Sequence, residues 1–207
     1  MKSKILSLTI LLAFCVLNVQ SLEAKGNVLN VHSSSEWRYY ESSLQYVPCV
    51  MYMGMEYLGV QSREDIVDRS ISLAATSLIM VATVNLTFKN LIREERPDGS
   101  AFNSFPSGHT ALAFAGADMV RRAYGWEWGA ACYAMATAVG IGRVVHQRHW
   151  WWDCVAGAAV GIGCSYLGSL CVRPVRNLFG INNNNISIVP DIEPYTGALC
   201  ARFSYSF

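Results

Sequence analysis

Three short blocks of the sequence hold most of its unusual polar side chains. The first covers residues 89–97, the second is the run Pro-Ser-Gly-His at 106–109, and the third spans 143–153. The first and third blocks supply three cations, Lys89, Arg96 and Arg143, and guanidinium groups match the oxygens of a phosphate bidentately. A phosphate dianion is therefore the natural ligand of a pocket built from these blocks.

The second block adds the start of a helix to this pocket. Ser107 and Gly108 are placed to begin a helix, where backbone N–H groups and the positive end of the helix dipole favour an anion. Pro97 disfavours helical geometry at Arg96, so that side chain can turn toward the same pocket. We therefore expect Lys89, Arg96, Ser107, Gly108 and Arg143 to bind the phosphate, without a Gly-rich nucleotide loop.

Two histidines and one aspartate have the types needed for phosphoryl transfer. His149 and Asp153 are spaced i, i+4, which predicts that they share one helical face and that the carboxylate accepts the imidazole Nδ1–H. His149 Nε2 would then be the nucleophile, and His109 the acid that protonates the leaving oxygen and later helps to activate water. Because one histidine must be neutral and the other protonated, the rate should depend on pH as a bell-shaped curve.

Each of these residues, taken alone, could also have a purely structural role. A histidine near a helix end is commonly structural, and Lys89 with Arg93, or Glu94 with Glu95, could form a solvated helix terminus. The structural interpretation is kept for the remaining polar residues of the blocks: Arg93, Glu94, Glu95, Asp98, His146 and Arg148. A zinc site built from His146, His149 and Asp153 lacks a persuasive ligand set. The cations can offset phosphoryl charge, so neither a metal nor another cofactor is required.

Five apolar segments must position the blocks: 46–60, 70–88, 110–124, 127–142 and 154–172. All are predicted to be helical, because they are rich in Ala, Leu, Met and small residues and lack strict apolar–polar alternation. The first block closes one helix and the second opens the next, and two segments later the third block returns to the same side. The sequence therefore predicts an all-α fold, a bundle of about five to six helices, with an active site at one end.

The composition favours a membrane location. Of the residues, 52% are hydrophobic and 15% are charged. Segments 70–88 and 154–172 approach the ~20 residues that a bilayer requires, whereas the others are marginal and carry Asp118 and Glu127 in or beside them. Small residues in the last segment, including Gly157, Ala158, Gly161 and Gly168, predict close helix contacts. We expect a membrane-embedded bundle; a tightly packed soluble bundle is the alternative.

The chain divides into four parts by composition. Residues 1–24 resemble a signal peptide or an N-terminal anchor, because two lysines precede an apolar run that small residues follow. Residues 25–45 are polar, 46–173 form the helical core, and 174–207 are predicted to be an extended tail with a strand-like alternation at 199–207. Four cysteines in apolar stretches are predicted to be buried thiols rather than disulfides: Cys132, Cys154, Cys164 and Cys171.

The charges predict an orientation and exclude one class of partner. Arginine pairs at 63 and 69, 121 and 122, and 173 and 176 fall in alternate connections, which is typical of a cytoplasmic face. The three polar blocks would then face the periplasm of a bacterial-type inner membrane. A net charge of +1 argues against nucleic acid as a partner. Protein partners are not indicated.

The three blocks together resemble the signature of the type 2 phosphatidic acid phosphatase superfamily. That signature runs Lys, six residues, Arg-Pro; then Pro-Ser-Gly-His; then Ser-Arg, five residues, His, three residues, Asp. The resemblance implies a helical core, His149 as nucleophile, Asp153 as its partner, His109 as general acid, and Lys89, Arg96, Ser107, Gly108 and Arg143 as phosphate ligands. Gly142 stands where the family usually has Ser, which removes one hydroxyl near the phosphate.

The family contains lipid phosphatases, soluble acid phosphatases and vanadium haloperoxidases on similar helical cores, so the fold does not choose among them. Three tryptophans at 150–152 favour a site at headgroup level. We therefore expect a phosphate monoester or diphosphate on a lipid as substrate, such as phosphatidylglycerol phosphate, polyprenyl diphosphate or lipid A. The alternatives are a soluble periplasmic acid phosphatase acting on small phosphomonoesters and a non-catalytic membrane protein that binds phosphate headgroups.

Overall fold

A computed structural model of the protein describes residues 43–181, 187–192 and 199–204. The predicted signal peptide or anchor at 1–24 and almost all of the polar segment at 25–45 lie outside the described residues. The interpretations given to those two segments stay predictions.

The described residues form a helical bundle followed by a pair of strands. The helices are α1 (Val47–Gly54), α2 (Ile66–Met80), α3 (Lys89–Leu91), α4 (Gly108–Tyr124), α5 (Trp126–Val145), α6 (Trp151–Leu170) and α7 (Val172–Phe179). A 3₁₀ turn, Met55–Leu58, follows α1, and a π-helical stretch, Val81–Phe88, joins α2 to α3. The prediction of an all-α bundle is confirmed for this core.

Helix α4 lies at the centre of the bundle. It packs against α1, α5 and α6, while α2 packs against α6. Five alanines of α4 are fully buried: Ala111, Ala113, Ala115, Ala117 and Ala123. Because alanine side chains are short, the surrounding helices can approach the α4 backbone closely, and this fixes the first residues of α4 relative to the ends of its neighbours.

Glycines of α6 provide the closest of these approaches. A Cβ added at Gly157 would lie 2.5 Å from the Ser107 carbonyl oxygen, and one at Gly161 would lie 2.1 Å from the Ala111 carbonyl oxygen. At Gly168 it would lie 2.8 Å from the Thr76 backbone nitrogen of α2. The predicted role of these glycines in close helix contact is confirmed, and α6 is held against both α4 and α2.

Three helical stretches of the described residues are long and apolar enough to cross a membrane: Ile66–Leu91, Trp126–Val145 and Trp151–Phe179. This indicates a membrane protein. The sequence favoured only two such stretches. The third arises because α5 continues through Arg143 to Val145, beyond the apolar segment that ends at Gly142.

The arginine-rich connections meet at one end of the bundle. Arg69 is buried and contacts Glu56, Tyr124 and the Tyr52 carbonyl oxygen. Arg176 of α7 pairs with Asp68 of α2. The described helices thus have one end rich in arginine and, at the other, the three polar blocks.

The C-terminal part departs from the predicted extended tail in two respects. Residues 172–179 form α7, so the helical part ends at Phe179 rather than at Arg173. The tail also contains two strands rather than one, since β1 (Ser187–Ile192) pairs antiparallel with β2 (Leu199–Ser204). Pro190 interrupts the β-pattern of the first strand, which explains why the sequence indicated only the second.

The cysteines follow the expected pattern in the described core. Cys132, Cys154 and Cys164 are buried thiols, and Cys171 is a half-buried thiol. Cys132 packs against Met51, with 3.7 Å between the two sulfur atoms. In the described core these four cysteines therefore contribute to helix packing as free thiols.

Candidate phosphate-transfer site

The three polar blocks meet at the end of the bundle opposite the arginine-rich end. Lys89 is the first residue of α3, at the end of the helical stretch that begins with α2, and His109 lies in the first turn of α4. Arg143 lies in the last turn of α5, and Asp153 in the first turn of α6. Since α2 and α5 run opposite to α4 and α6, the C-terminal ends of α2 and α5 lie on the same side of the bundle as the N-terminal ends of α4 and α6.

Charges from all three blocks act on His109. Burial lowers the pKa of His109 well below its ordinary value of 6.5, and the nearby charges of Arg143, His149, Lys89 and Arg96 lower it further. Such an effect requires these groups to lie within electrostatic range of the imidazole, at the same end of the bundle. The structure therefore brings together both histidines and the three predicted cations.

His149 is oriented chiefly by Ser104. Its Nδ1 atom lies 2.7 Å from the Ser104 backbone carbonyl oxygen. A carbonyl only accepts hydrogen bonds, so Nδ1 carries the proton and Nε2 carries the lone pair. The Ser104 hydroxyl, in turn, donates to the Asp153 carboxylate. Ser104 is fully buried and links the nucleophile candidate to its carboxylate.

The predicted contact between His149 and Asp153 within one helix is wrong in its geometry. Helix α6 begins at Trp151, and its N-cap Trp150 has extended backbone geometry, so His149 precedes the helix. His149 Nδ1 lies 3.7 Å from Asp153 Oδ2, which is an electrostatic contact rather than a direct hydrogen bond. Asp153 instead accepts a hydrogen bond from the Trp150 backbone N–H at 2.9 Å.

Burial also acts on His149. It lowers the pKa of this imidazole, the Asp153 carboxylate opposes that shift, and the positive charges of Arg143 and Arg96 add to it. The loss of water around the ring therefore outweighs the attraction of the carboxylate. A neutral His149 is the form that a nucleophilic role requires.

Ser107, a predicted phosphate ligand, lies at the start of α4 and bonds to two neighbouring groups. Its side chain is fully buried, with 3.0 Å between its hydroxyl oxygen and Thr110 Oγ1. Its backbone N–H donates to the Asp153 carbonyl oxygen at 3.1 Å, which joins the starts of α4 and α6. The first intrahelical bond of α4 runs from the Ala111 N–H to the Ser107 carbonyl oxygen. The N–H groups of Gly108 and His109 therefore remain as the anion donors at this helix start.

Two tryptophans attach the first block to the third. Trp150 Nε1 donates to the Glu95 carbonyl oxygen at 2.9 Å, and Trp152 Nε1 donates to the Glu94 carboxylate at 2.8 Å. Their rings stack with centroids 5.0 Å apart. Sequence reasoning missed this role, although the run of three tryptophans directly after His149 was a usable signal. The contacts hold the Arg96 loop over the start of α6.

The site is built from cations and histidines rather than from metal ligands. Among residues 43–181, no group of three or more His, Cys, Asp and Glu side chains is arranged to hold a metal ion. The zinc alternative on His146, His149 and Asp153 therefore has no geometric support. The arrangement places two imidazoles and three cations where a phosphoryl group can be bound and transferred.

The chain belongs to the PAP2 superfamily, whose sequence pattern matches residues 70–176. It is similar to lipid A 1-phosphatase of Porphyromonas gingivalis, with 37% identity over 128 residues, which is 60% of this chain and 28% of that protein. The chain thus spans less than a third of the length of that relative. It is also similar to a crystal structure of Aquifex aeolicus LpxE, with a TM-score of 0.48 and 19% identity over 66% of this chain and 87% of the other.

Proposed function

We propose that the protein is a phosphatase that removes phosphate from a phosphate monoester or diphosphate on a membrane lipid, through a phosphohistidine intermediate. The observation that carries the proposal is the convergence of His149, His109 and three cations at one end of a bundle with membrane-length helices. Membership of the PAP2 superfamily supports the same activity.

The proposal gives each group a role. Because Ser104 holds the proton on Nδ1, the Nε2 lone pair of His149 attacks phosphorus and forms an N–P bond while the P–O bond to the lipid breaks. His109 gives its proton to the leaving oxygen. Water then attacks the phosphohistidine, His109 accepts a proton from it, and the N–P bond breaks to release inorganic phosphate.

The cations make both steps possible. The charges of Lys89, Arg96 and Arg143 act on His109, and in this proposal they offset the negative charge of the transferring phosphoryl group. This charge compensation replaces the metal ions that other phosphatases use, so the reaction is metal-independent. We expect activity to persist in the presence of a chelator.

A lipid substrate is supported by the surface around the site. Leu91, Val145 and Trp151 are large apolar side chains that are exposed at the same end of the bundle. Apolar and tryptophan side chains suit the boundary between acyl chains and headgroups. The relative from Porphyromonas gingivalis favours lipid A as the substrate, ahead of phosphatidylglycerol phosphate and polyprenyl diphosphate.

The orientation follows from the two ends of the bundle. The arginine-rich end, with Arg69 and Arg176, suits the cytoplasmic face, so the site would open to the periplasm. A membrane-impermeant thiol reagent should label the protein in intact cells that carry Asp98→Cys in a variant whose seven native cysteines are replaced by alanine. Protection of that cysteine in intact cells, with labelling after lysis, would reverse the orientation.

The direct test is phosphate release by the purified protein in detergent. Lipid A, phosphatidylglycerol phosphate and polyprenyl diphosphate are offered at equal concentration, and His149→Ala is compared with His146→Ala as a matched nearby histidine. We expect release from lipid A by the native protein and by His146→Ala, and at least a 1000-fold loss in His149→Ala, about 4 kcal/mol of transition-state stabilisation. Equal turnover by both variants would contradict the proposal, and preference for small phosphomonoesters would favour an acid phosphatase.

A further inference from the structure

One oxygen of the Asp153 carboxylate has no hydrogen-bond donor among the residues that the structure describes. Asp153 is fully buried, and its Oδ2 atom accepts from the Ser104 hydroxyl and from the Trp150 backbone N–H. The other oxygen, Oδ1, is shielded from solvent and bonds to neither. A buried charged oxygen without a donor is costly, and folded proteins rarely leave one. A donor is therefore expected from a side chain packed against the start of α6 or from a bound water.

Glu94 is held beside this carboxylate by bonds to two neighbours of Asp153. Its backbone carbonyl oxygen accepts from the Ser104 N–H at 3.0 Å, and the Ser104 hydroxyl donates to Asp153. Its side-chain Oε1 accepts from Trp152 Nε1 at 2.8 Å, and Trp152 directly precedes Asp153. The main chain and the side chain of Glu94 are thus both fixed next to Asp153, and the second oxygen of Glu94, Oε2, can serve it.

The surroundings of Glu94 favour its neutral form. Partial burial raises the pKa of Glu94 above its ordinary value of 4.5, and the Trp152 N–H opposes this shift. The Asp153 carboxylate raises the pKa of Glu94 further, through its charge and as a hydrogen-bond acceptor. Two ionised carboxylates repel each other and neither can donate, whereas a protonated one has an O–H donor. A single proton therefore satisfies both groups.

We infer that Glu94 is a positioning residue that acts as a neutral carboxylic acid, with its O–H donated to Asp153 Oδ1 and its Oε1 accepting from Trp152. The inference rests on the proposed phosphatase activity and adds a residue that supports the nucleophile. Glu94 is one of the six unspecified residues between Lys89 and Arg96 in the signature, so the signature gives it no role.

The shared proton joins phosphate binding to the nucleophile. Glu94 lies two residues before Arg96, so its bond to Asp153 holds the Arg96 loop at the start of α6. With a donor on each oxygen, Asp153 keeps its place beside His149, whose Nδ1 lies 3.7 Å from Oδ2. The pair also carries one negative charge instead of two, which reduces the repulsion of an incoming phosphate dianion. Loss of the proton would push the loop and the carboxylate apart.

The test compares two replacements of Glu94 with the same replacements of Glu95, an exposed carboxylate of the same loop. Glu94→Gln keeps an acceptor for Trp152 and offers an N–H to Asp153, whereas Glu94→Ala removes both groups. Glu94→Ala should lower kcat about 10- to 100-fold, the effect of losing a hydrogen bond to a buried charge. Glu94→Gln should recover most of that loss, and both Glu95 variants should match the native protein.

A second measurement does not depend on turnover. At mildly acid pH, the infrared spectrum of the native protein in detergent should contain the C=O band of a protonated carboxyl group. This band should be lost in Glu94→Gln and kept in Glu95→Gln, which has the same change of residue type. Unfolding midpoints of all four variants separate a lost contact from a failure to fold.

Three outcomes overturn the inference. Equal rates in Glu94→Ala and Glu95→Ala would leave Asp153 Oδ1 to a bound water. A rate in Glu94→Gln as low as in Glu94→Ala would mean that Glu94 acts as an ionised carboxylate, and an infrared band that survives Glu94→Gln would place the proton elsewhere. A native protein that shows the Glu94-dependent band but hydrolyses none of the lipids would overturn the phosphatase proposal and leave the shared proton in place.

Discussion

The Nδ1 atom of His149 lies closer to the backbone carbonyl oxygen of Ser104, at 2.7 Å, than to the carboxylate of Asp153, at 3.7 Å. The imidazole tautomer is therefore set by a peptide group, and Asp153 acts on the ring through space and through the Ser104 hydroxyl. This arrangement separates two tasks that one carboxylate is usually given, the orientation of the ring and the stabilisation of its positive charge.

Replacement of Ser104 by alanine tests this separation. Ser104→Ala keeps the carbonyl but removes the hydroxyl that donates to Asp153, and a lost hydrogen bond to a buried charged group costs about 1–3 kcal/mol. We expect kcat to fall about 10- to 100-fold with little change in KM. Steady-state kinetics are compared with Ser70→Ala, whose hydroxyl bonds the Ile66 carbonyl at the arginine-rich end. A rise in KM alone would show that Ser104 serves substrate binding instead.

The pH dependence should follow from the lowered pKa values of both histidines. In the free protein His109 must be protonated, so kcat/KM falls as pH rises through its lowered pKa. His149 must be neutral, so kcat/KM also falls as pH drops through its own lowered pKa. Both limbs of the kcat/KM curve should lie below pH 6.5, the ordinary histidine value. In the kcat curve, bound phosphate raises the pKa of His109 and moves the alkaline limb upward.

The alkaline limb can be assigned by removing one charge. Arg143→Gln deletes a cation that lowers the pKa of His109, so this limb should move to higher pH even though the rate falls. Arg173→Gln, at the far end of the bundle, should leave the limb in place. Identical limbs in the two variants, or a flat profile from mildly acid to mildly alkaline pH, would contradict the two-histidine assignment.

The contact between α4 and α6 predicts a contrast between two glycines of one helix. A Cβ at Gly161 would lie 2.1 Å from the Ala111 carbonyl oxygen, whereas one at Gly163 meets nothing within 4 Å. Gly161→Ala should destabilise the protein by at least about 1–3 kcal/mol, the usual range for overpacking. Gly163→Ala should be neutral or stabilising by up to about 1 kcal/mol. Thermal unfolding in detergent measures both, and equal midpoints would disprove the close contact.

Asp118 provides a test of what stabilises the arginine-rich end of the bundle. It is 2% exposed, and its carboxylate bonds to Arg121, Ser165 and Tyr133. Asp118→Asn leaves the partly buried charges of Arg121 and Arg122 without their carboxylate and should destabilise the protein by up to about 3–5 kcal/mol.

The control for this change is Asp98→Asn, which breaks a solvent-exposed pair with Arg148 at 3.0 Å. Exposed pairs contribute about 0–1 kcal/mol, so its unfolding midpoint should stay close to that of the native protein. Equal shifts in the two variants would mean that the Asp118 network adds nothing beyond a surface pair.

The sequence predicted the helices and their relative placement well, because both depend on local patterns. The convergence of Lys89, His109 and Arg143 follows from counting segments, since alternate helix ends must fall on the same side. The apolar periodicity also placed α4 within two residues of its observed start. The bundle is thus encoded at the level of single segments.

The hydrogen bonds within the site depend on contacts between distant segments, and such contacts leave no periodic pattern in the sequence. Ser104 lies in a loop without periodicity, and its contact with His149 exists only after the chain has returned to that loop. The helical spacing of His149 and Asp153 was misleading because the helix begins after His149. Ser107 has the residue type of a phosphate ligand, but its hydroxyl shares a hydrogen bond with the Thr110 hydroxyl and its backbone N–H donates to the Asp153 carbonyl oxygen.

The enclosure of α4 has a consequence for how the protein is made. This helix is not among the three stretches apolar enough to span a bilayer, and it carries Asp118, Arg121 and Arg122 near its end. A nascent α4 that met lipid alone would keep the pairs of Asp118 with Arg121 and Arg122, but it would lack the hydroxyls of Tyr133 and Ser165 that complete this network. A charged side chain costs about 2.5–3.5 kcal/mol near the bilayer centre. Tyr133 of α5 and Ser165 of α6, which bond to Asp118, are synthesised after α4. We therefore expect α4 to enter the membrane only after α5 and α6 have emerged from the ribosome.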